Sequence, residues 1–373
     1  MLSVGVEEEF LLLEPDGRVA PVADRVLAAA GLDGDQLKNE LMSFQVETAT
    51  RVCLGLDELR AELVRLRLRA AHGAAAAGAR LVATAMPPYE SGPLDQVTPD
   101  PRYLGLARRY PWAAVVGSAC ACQIHVGVPD PDLRAEVLVR MRPWLAALLA
   151  LGGNSPIGRG ADTGWSSRRY RALLRWPTFR PPGTLTGPAP YAAYEQRVRE
   201  AIARGDAADP GNVYFLARLS HRYPTIEVRL CDTSLTPADT VLLAAVVRGL
   251  VTALVEDARQ GRPIAPVSAT RLGADLLSVA RNATLRPLPR SRGSAAASSK
   301  LIADLQARIA PAVSGTRDGE EIARGLARLR RTGTGADRQR ALLARAPTRR
   351  AFVTALAQTT APLPRTRLTR HST

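Results

Sequence analysis

Apolar residues and isolated glutamates share the opening of the chain, Val4-Gly5-Val6-Glu7-Glu8-Glu9-Phe10-Leu11-Leu12-Leu13, and the turn formers Glu14-Pro15-Asp16-Gly17 close it. That pattern predicts a strand. Strands are also expected over Phe44–Ala49, Leu81–Ala85, Ala119–Val128 and Thr225–Cys231. Helical spacing marks Pro21–Ala30, Asp57–Arg80 with Asp57 as N-cap, Pro101–Arg109, and a stretch from Pro131 to about Leu151. Thr236-Pro237-Ala238-Asp239 supplies a cap, a first-turn proline and an acid at the third position, so it opens an apolar helix reaching about Asp257. Between them, Gly152–Gly187 reads as a long ordered loop with one short helix, a kind of segment that is usually functional. Two or three arginine-rich helices follow residue 300, and no repeat of solenoid length is present.

Alternation sorts the strand residues into faces, with residues two apart about 7 Å from each other on one side. Glu7 and Glu9 share a face. Cys120, Cys122, Ile124, Val126 and Val128 form an apolar face, which leaves Gln123 and His125 together on the other. Ile226, Val228 and Leu230 oppose Glu227 and Arg229, and Glu47 interrupts an apolar run with Glu40 at a turn seven residues earlier. One such strand is ordinarily the solvated face of an antiparallel sheet. Four strands whose polar positions hold Glu, Gln, His and Arg suggest a single concave surface instead. Carboxylates gathered there stay ionised only beside hard cations, and oxygen donors with one imidazole suit Mg²⁺ or Mn²⁺ better than zinc. Magnesium commonly accompanies nucleotide phosphates, which Arg229 and the arginines of residues 159–175 would meet.

Charge adds one refinement. The 373 residues carry a formal +15, but residues 1–50 hold ten acids and three bases, so the acidic segment stands inside a basic protein. Only Lys38 and Lys300 are lysines. Aromatic residues do not interleave with the arginines, so no nucleic-acid partner is expected. The composition is that of a globular chain, long enough for two domains or one large one.

Cys53, Cys120, Cys122 and Cys231 lack regular spacing, and no signal-peptide pattern precedes them, which predicts a reduced, cytoplasmic protein. Cys120 and Cys122 read as small apolar residues facing helices, and Trp112, Trp144 and Trp176 as packing residues. His72, His221 and His371 belong to no constellation. No membrane span is expected, since the apolar run Val241–Val255 is interrupted by Arg248.

Seven motifs in order carry a resemblance over nearly the whole chain. They are Gly5–Phe10, the Glu40 and Glu47 pair, Ile124–Asp130, Asp162–Ser167, Arg175–Thr178, Thr225–Arg229 and Gly335–Arg340. Together they resemble the carboxylate–amine ligases of the glutamate–cysteine ligase type 2 group. The resemblance implies an α+β fold: a curved, mainly antiparallel six-stranded sheet with helices on its outside, similar to the catalytic domain of glutamine synthetase. One catalytic domain over residues 1–361 is expected, with a mobile insert at 286–300 and a flexible tail at 362–373.

The resemblance also implies a reaction in which ATP activates a carboxylate as an acyl phosphate and an amine displaces phosphate to form an amide. Its metal ligands would be Glu7, Glu9, Glu40, Glu47 and Glu227 for Mg²⁺ or Mn²⁺. His125, Arg169 and Arg229 would contact metal or phosphate, the two arginines binding ATP, with Arg168 and Arg171 as rivals to Arg169. Small-molecule acid and amine are the expected partners, and self-association is left open. Where the family commonly has His-Val-His-Val this chain has Gln123-Ile124-His125-Val126, and Met86-Pro87 replaces a common His-Pro. The stretch Arg271–Leu285 lacks the usual Asn-rich motif with Trp and Tyr. These departures fall where substrate contacts are expected, so another acid or amine, in specialised metabolism, stands beside glutamate and cysteine. Two further readings are a phosphotransferase on the same fold and a non-catalytic binding protein using its basic surface.

Overall fold

The computed structural model describes residues 1–89, 96–112, 117–183, 185, 189–285 and 294–361. The first part of the chain contains β1 (Val4–Leu13), α1 (Ala23–Ala30), β2 (Leu37–Asn39), β3 (Gln45–Ala49), α2 (Leu56–Ala76), β4 (Arg80–Val82), α3 (Pro101–Arg109) and β5 (Cys122–Gly127). The middle contributes α4 (Pro131–Arg140), α5 (Leu145–Gly152), the short ribbon β6 (Ile157–Gly158) and β7 (Ala161–Asp162), α6 (Arg168–Leu173), α7 (Pro190–Ala203), β8 (Ala217–Leu219) and β9 (Thr225–Val228). The remainder is helical: α8 (Pro237–Arg259), α9 (Ala269–Asn282), α10 (Ser294–Val313), α11 (Arg317–Thr332), α12 (Gly335–Arg345) and α13 (Arg349–Thr360).

The main sheet runs β2-β3-β1-β5-β9-β8 with every pair antiparallel. Expectation and structure agree on an α+β fold with helices outside an antiparallel sheet, but the described sheet has seven strands rather than six. The seventh is β4. Ten residues make β1 long enough to pair with β5 through Val4–Glu8 and with β4 through Leu11–Leu13.

Register then decides what faces what. Glu9 lies opposite Glu47, Lys38 opposite Glu47, Glu7 opposite Gln123, His125 opposite Glu227, and Arg218 opposite Glu227. A polar band therefore crosses six strands on one face. Slippage by one residue would turn each member to the other side, and burial of the apolar face prevents it. That face holds Val4, Val6, Cys122, Ile124, Val126, Ile226 and Val228, all in the main core with the apolar residues of α8. A smaller core joins Phe10, Leu12 and Val46 to Val26 of α1 and to Ala70 and Ala74 of α2.

Among the described residues α8 is the one helix long and apolar enough to cross a bilayer, yet 83% of its apolar window is buried in the fold. Arg248, in its middle, is paired with Asp318 of α11 at 2.6 Å. Its N-terminus has the anticipated capping box between Thr236 and Asp239.

Several element boundaries differ from the sequence reading. Gly55, not Asp57, caps α2, which ends at Ala76 because residues 77–79 turn into β4. The single helix expected after Pro131 is two, separated by a 3₁₀ turn at Arg142–Trp144, where Pro143 cannot donate to the helical ladder. Strand β9 stops at Val228 and β5 begins at Cys122, both shorter than read. Residues 294–300 of the expected insert open α10, while 286–293 and the expected tail at 362–373 lie outside the described residues. Four arginine-bearing helices, α10–α13, replace the two or three expected.

Candidate active site

The polar band floors a cavity of about 420 Å³ lined by Glu7, Glu9, Glu40, Glu47, Gln123, His125, Glu227 and Arg229 among others. Seven of the eight expected site residues thus share one cavity. Arg169, the eighth, lines a smaller chamber of about 70 Å³ together with Leu173, Trp176 and Phe179. Glu9, Glu40, Leu41, Tyr214 and Arg229 line both spaces and so form the partition between them.

Beside that partition, on the side of the larger cavity, carboxylate oxygens of Glu9, Glu40 and Glu47 all lie within 4.8 Å of one another. The first and last are set by the β1–β3 register, and Glu40 follows β2. Glu9 accepts from the Ala121 amide and from Gln123 Nε2, both at 2.7 Å. Burial and the neighbouring Glu40 push its carboxyl up to about 7, against the pull of Arg169, the Ala121 amide and Arg229. Burial and Glu7 drive Glu47 well above the carboxylate range, although Lys38 Nζ approaches it at 2.8 Å. Glu9 and Glu47 are buried and Glu40 is half-buried, and carboxylates this close ionise together more readily beside added positive charge.

His125 and Glu227 are paired across β5 and β9. Nδ1 of His125 is 2.9 Å from Thr225 Oγ1, and Nε2 is buried without a hydrogen-bond partner, 3.9 Å from Glu7 Oε1. In the tautomer with the proton on Nδ1, Nε2 offers its lone pair toward Glu7. Glu227 is clamped by Arg218 Nε at 2.8 Å and by Arg229 Nη1. Burial works against ionisation there, but Arg229 and Arg218 overcome it and hold the carboxyl well below its ordinary range. Arg229 also donates to Gln123 and lies over the Tyr214 ring, 5.4 Å from its centre.

Arg169 is placed differently from the rest. Its terminal nitrogens donate to the carbonyls of Arg229, Leu230 and Cys231 at 3.2–3.3 Å, while its buried Nε has no partner. Arg168 donates to the Pro87 carbonyl and Arg171 lies over Trp165. Met86 is buried, and Arg271–Leu285 spans most of α9.

Sequence reasoning missed Lys38, Arg102, Arg218, Tyr214 and His221, all on the wall of the larger cavity. Arg218 carried a signal, since Ala217-Arg218-Leu219 alternates like the other strands. His221 follows on the β8–β9 turn and offers no comparable pattern.

The family described as glutamate–cysteine ligase family 2 (GCS2) matches residues 3–359. A protein of Salinispora tropica bearing the provisional name glutamate–cysteine ligase 2 is 40% identical over 377 aligned residues, covering 97% of this chain and 96% of its own. One from Mycolicibacterium vanbaalenii, provisionally named glutamate–cysteine ligase 2-2, is 42% identical over 341 residues, 91% of this chain and 92% of its own. The structure of glutamate–cysteine ligase from Francisella tularensis in complex with AMP superposes with a TM-score of 0.67 at 12% identity, over 97% of this chain and 89% of that one. A bifunctional glutathione synthetase from Pasteurella multocida gives 0.67 at 14% identity, with 96% of this chain spanning 51% of the longer protein. The two superpositions speak to the fold.

Proposed function

As a member of glutamate–cysteine ligase family 2, the chain is an ATP-dependent carboxylate–amine ligase, and we propose that it works on Mg²⁺- or Mn²⁺-ATP at the Glu9–Glu40–Glu47 cluster. The carboxylate oxygen attacks the γ-phosphorus and ADP leaves. An amine then adds to the acyl carbon, inorganic phosphate departs, and the amine gives up a proton. We read residues 1–361 as one catalytic unit.

The observation that carries this reading is the convergence of three carboxylates from β1, β3 and the end of β2. Oxygen donors packed so closely fit a hard divalent ion. Glu9, Glu40 and Glu47 would hold one; Glu7 and the unpartnered Nε2 of His125 suit a second, to which Glu227 would bring a carboxylate that now holds Arg218 and Arg229. Bound there, such ions neutralise phosphate oxygens and make phosphoryl transfer to an anion feasible.

The chain's own groups do the rest. Arg218 and Arg229 stand beside Glu227 and present guanidinium charge to the larger space, which we assign to the triphosphate. The smaller chamber, walled by Leu173, Trp176 and Phe179 on one side and by Glu9, Glu40, Arg169 and Arg229 on the other, is assigned to the acid and amine, where the apolar wall would limit water near the acyl phosphate. Arg169 fixes the backbone of residues 229–231 and thereby aims Arg229. Gln123, in place of the family's common His, ties Glu9 to Arg229, so the acid and amine need not be glutamate and cysteine. The cytoplasm is the proposed compartment, consistent with four free, buried cysteines.

The test is phosphate release from Mg-ATP with a panel of amino acids, each with and without an amine, beside Glu47→Gln. Release that needs both partners and disappears in the variant is expected. Release with the acid alone would favour the phosphotransferase.

A further inference from the structure

Lys38 is one of two lysines in the chain, and it stands in the active site. The β2–β3 register sets it opposite Glu47, with its Nζ 2.8 Å from Glu47 Oε1. Its side chain is 38% exposed toward the larger chamber, whereas that of Glu47 is 5% exposed. An acid assigned to metal binding therefore already holds a cation.

A divalent ion among Glu9, Glu40 and Glu47 would draw on the same Glu47 carboxylate that Lys38 now engages. It would also bring two positive charges close to the ammonium, in a site where partial burial weakens screening. Both effects move Lys38 off Glu47. A lysine can respond, because its charge is a point on a flexible four-carbon stem, and the open side of this one is the cavity. Arginine at the same position would hold the carboxylate with a planar fork and yield less readily.

We propose that Lys38 is a displaceable resident cation: it neutralises Glu47 in the metal-free enzyme, yields that carboxylate to the divalent ion, and then serves the anionic substrate. This rests on the ligase reading. Lys38 thereby sets how much metal the enzyme requires. Loading of the site and delivery of a positive charge to the phosphates become one event.

Free Mn²⁺, counted by its electron paramagnetic resonance signal, measures binding without turnover. Lys38→Met is expected to bind Mn²⁺ about tenfold more tightly than wild type, because one competing charge is gone, while kcat falls. Lys38→Arg retains the competitor and is expected to bind no more tightly than wild type. Unchanged or weaker binding by a folded Lys38→Met would overturn the proposal. A second measurement uses the unaltered chain, in which Lys300 of α10, 75% exposed, is the internal reference. Mg²⁺ should speed acylation of Lys38 relative to Lys300 by an amine-reactive reagent, read by mass spectrometry; no change, or slowing, would reject displacement. Should wild type bind no Mn²⁺ at all, the metal-dependent ligase reading itself fails, and this inference with it.

Discussion

Glu8 and Arg67 meet at 2.5 Å with both side chains out of water, although Glu8 sits between two glutamates of the active-site cavity. Strand alternation sends it to the opposite face, where Thr240 also donates to it at 2.6 Å. Arg67 completes its bonding on the carbonyls of Ser234 and Thr360, so the pair ties β1 to α2 and to the chain before α8 and at the end of α13.

Breaking such a pair leaves a buried charge unopposed. Glu8→Gln is expected to cost about 3–5 kcal/mol of stability, measured by urea unfolding, and to leave Mn²⁺ affinity of the folded fraction unchanged. Full stability with lost metal affinity would show that Glu8 belongs to the site after all.

The neighbouring glutamates show what could be read without coordinates. Period-two alternation is enough to put Glu7 with Glu9, Gln123 with His125 and Glu227 with Arg229, because the opposite positions, Glu8 apart, are apolar and must be buried. It could not say which strands adjoin, and adjacency is what sets Lys38 on Glu47 and Arg218 on Glu227. β2 and β8 are three residues each, so β2 shows no pattern and the alternation of Ala217-Arg218-Leu219 is too brief to stand alone. Arg169 was legible as an arginine in the right loop, but its bonding to backbone carbonyls depends on where α6 meets the segment after β9. Pro143 is the sequence's own mark of the break between α4 and α5.

Gln123 joins Glu9, on which it donates at 2.7 Å, to Arg229, which donates to its carbonyl oxygen. Gln123→Leu keeps the volume and removes both bonds, leaving a buried Glu9 oxygen unpaired and Arg229 with Glu227 alone. A loss of about tenfold to a hundredfold in kcat/KM is expected from a misplaced Arg229, measured by coupled ADP release, beside a loss of about 1–3 kcal/mol in stability from the unpaired acceptor. Undiminished kcat/KM would remove Gln123 from the machinery.

Asp239 caps α8 and accepts from Arg328 and Arg338. Burial opposes its ionisation, yet the two guanidiniums, Arg338 foremost, hold its carboxyl below the ordinary 3.8. A depressed folded value means that the stabilisation is complete above the unfolded value and is lost as pH falls through the folded one. Asp239→Asn, which retains cap geometry but not charge, is therefore expected to cost about 3–5 kcal/mol near pH 7, with the deficit shrinking below about pH 4. Denaturant titrations across that range test it. A deficit independent of pH would assign the effect to the cap alone.

Cysteine chemistry gives the last prediction. Cys120 and Cys122 are fully buried, and burial raises both thiols well above their ordinary value; it raises Cys231 as well, with Asp232 adding to the effect. Cys53 is shifted the same way. A thiol protonated at neutral pH is a poor nucleophile, and acyl phosphate chemistry needs none. Iodoacetamide at about pH 8 is expected to leave ATP-dependent amide formation intact, while Ellman's reagent finds all four thiols only after denaturation. Rapid inactivation prevented by ATP would place a reactive thiol in the cavity and contradict a mechanism built on carboxylates and arginines.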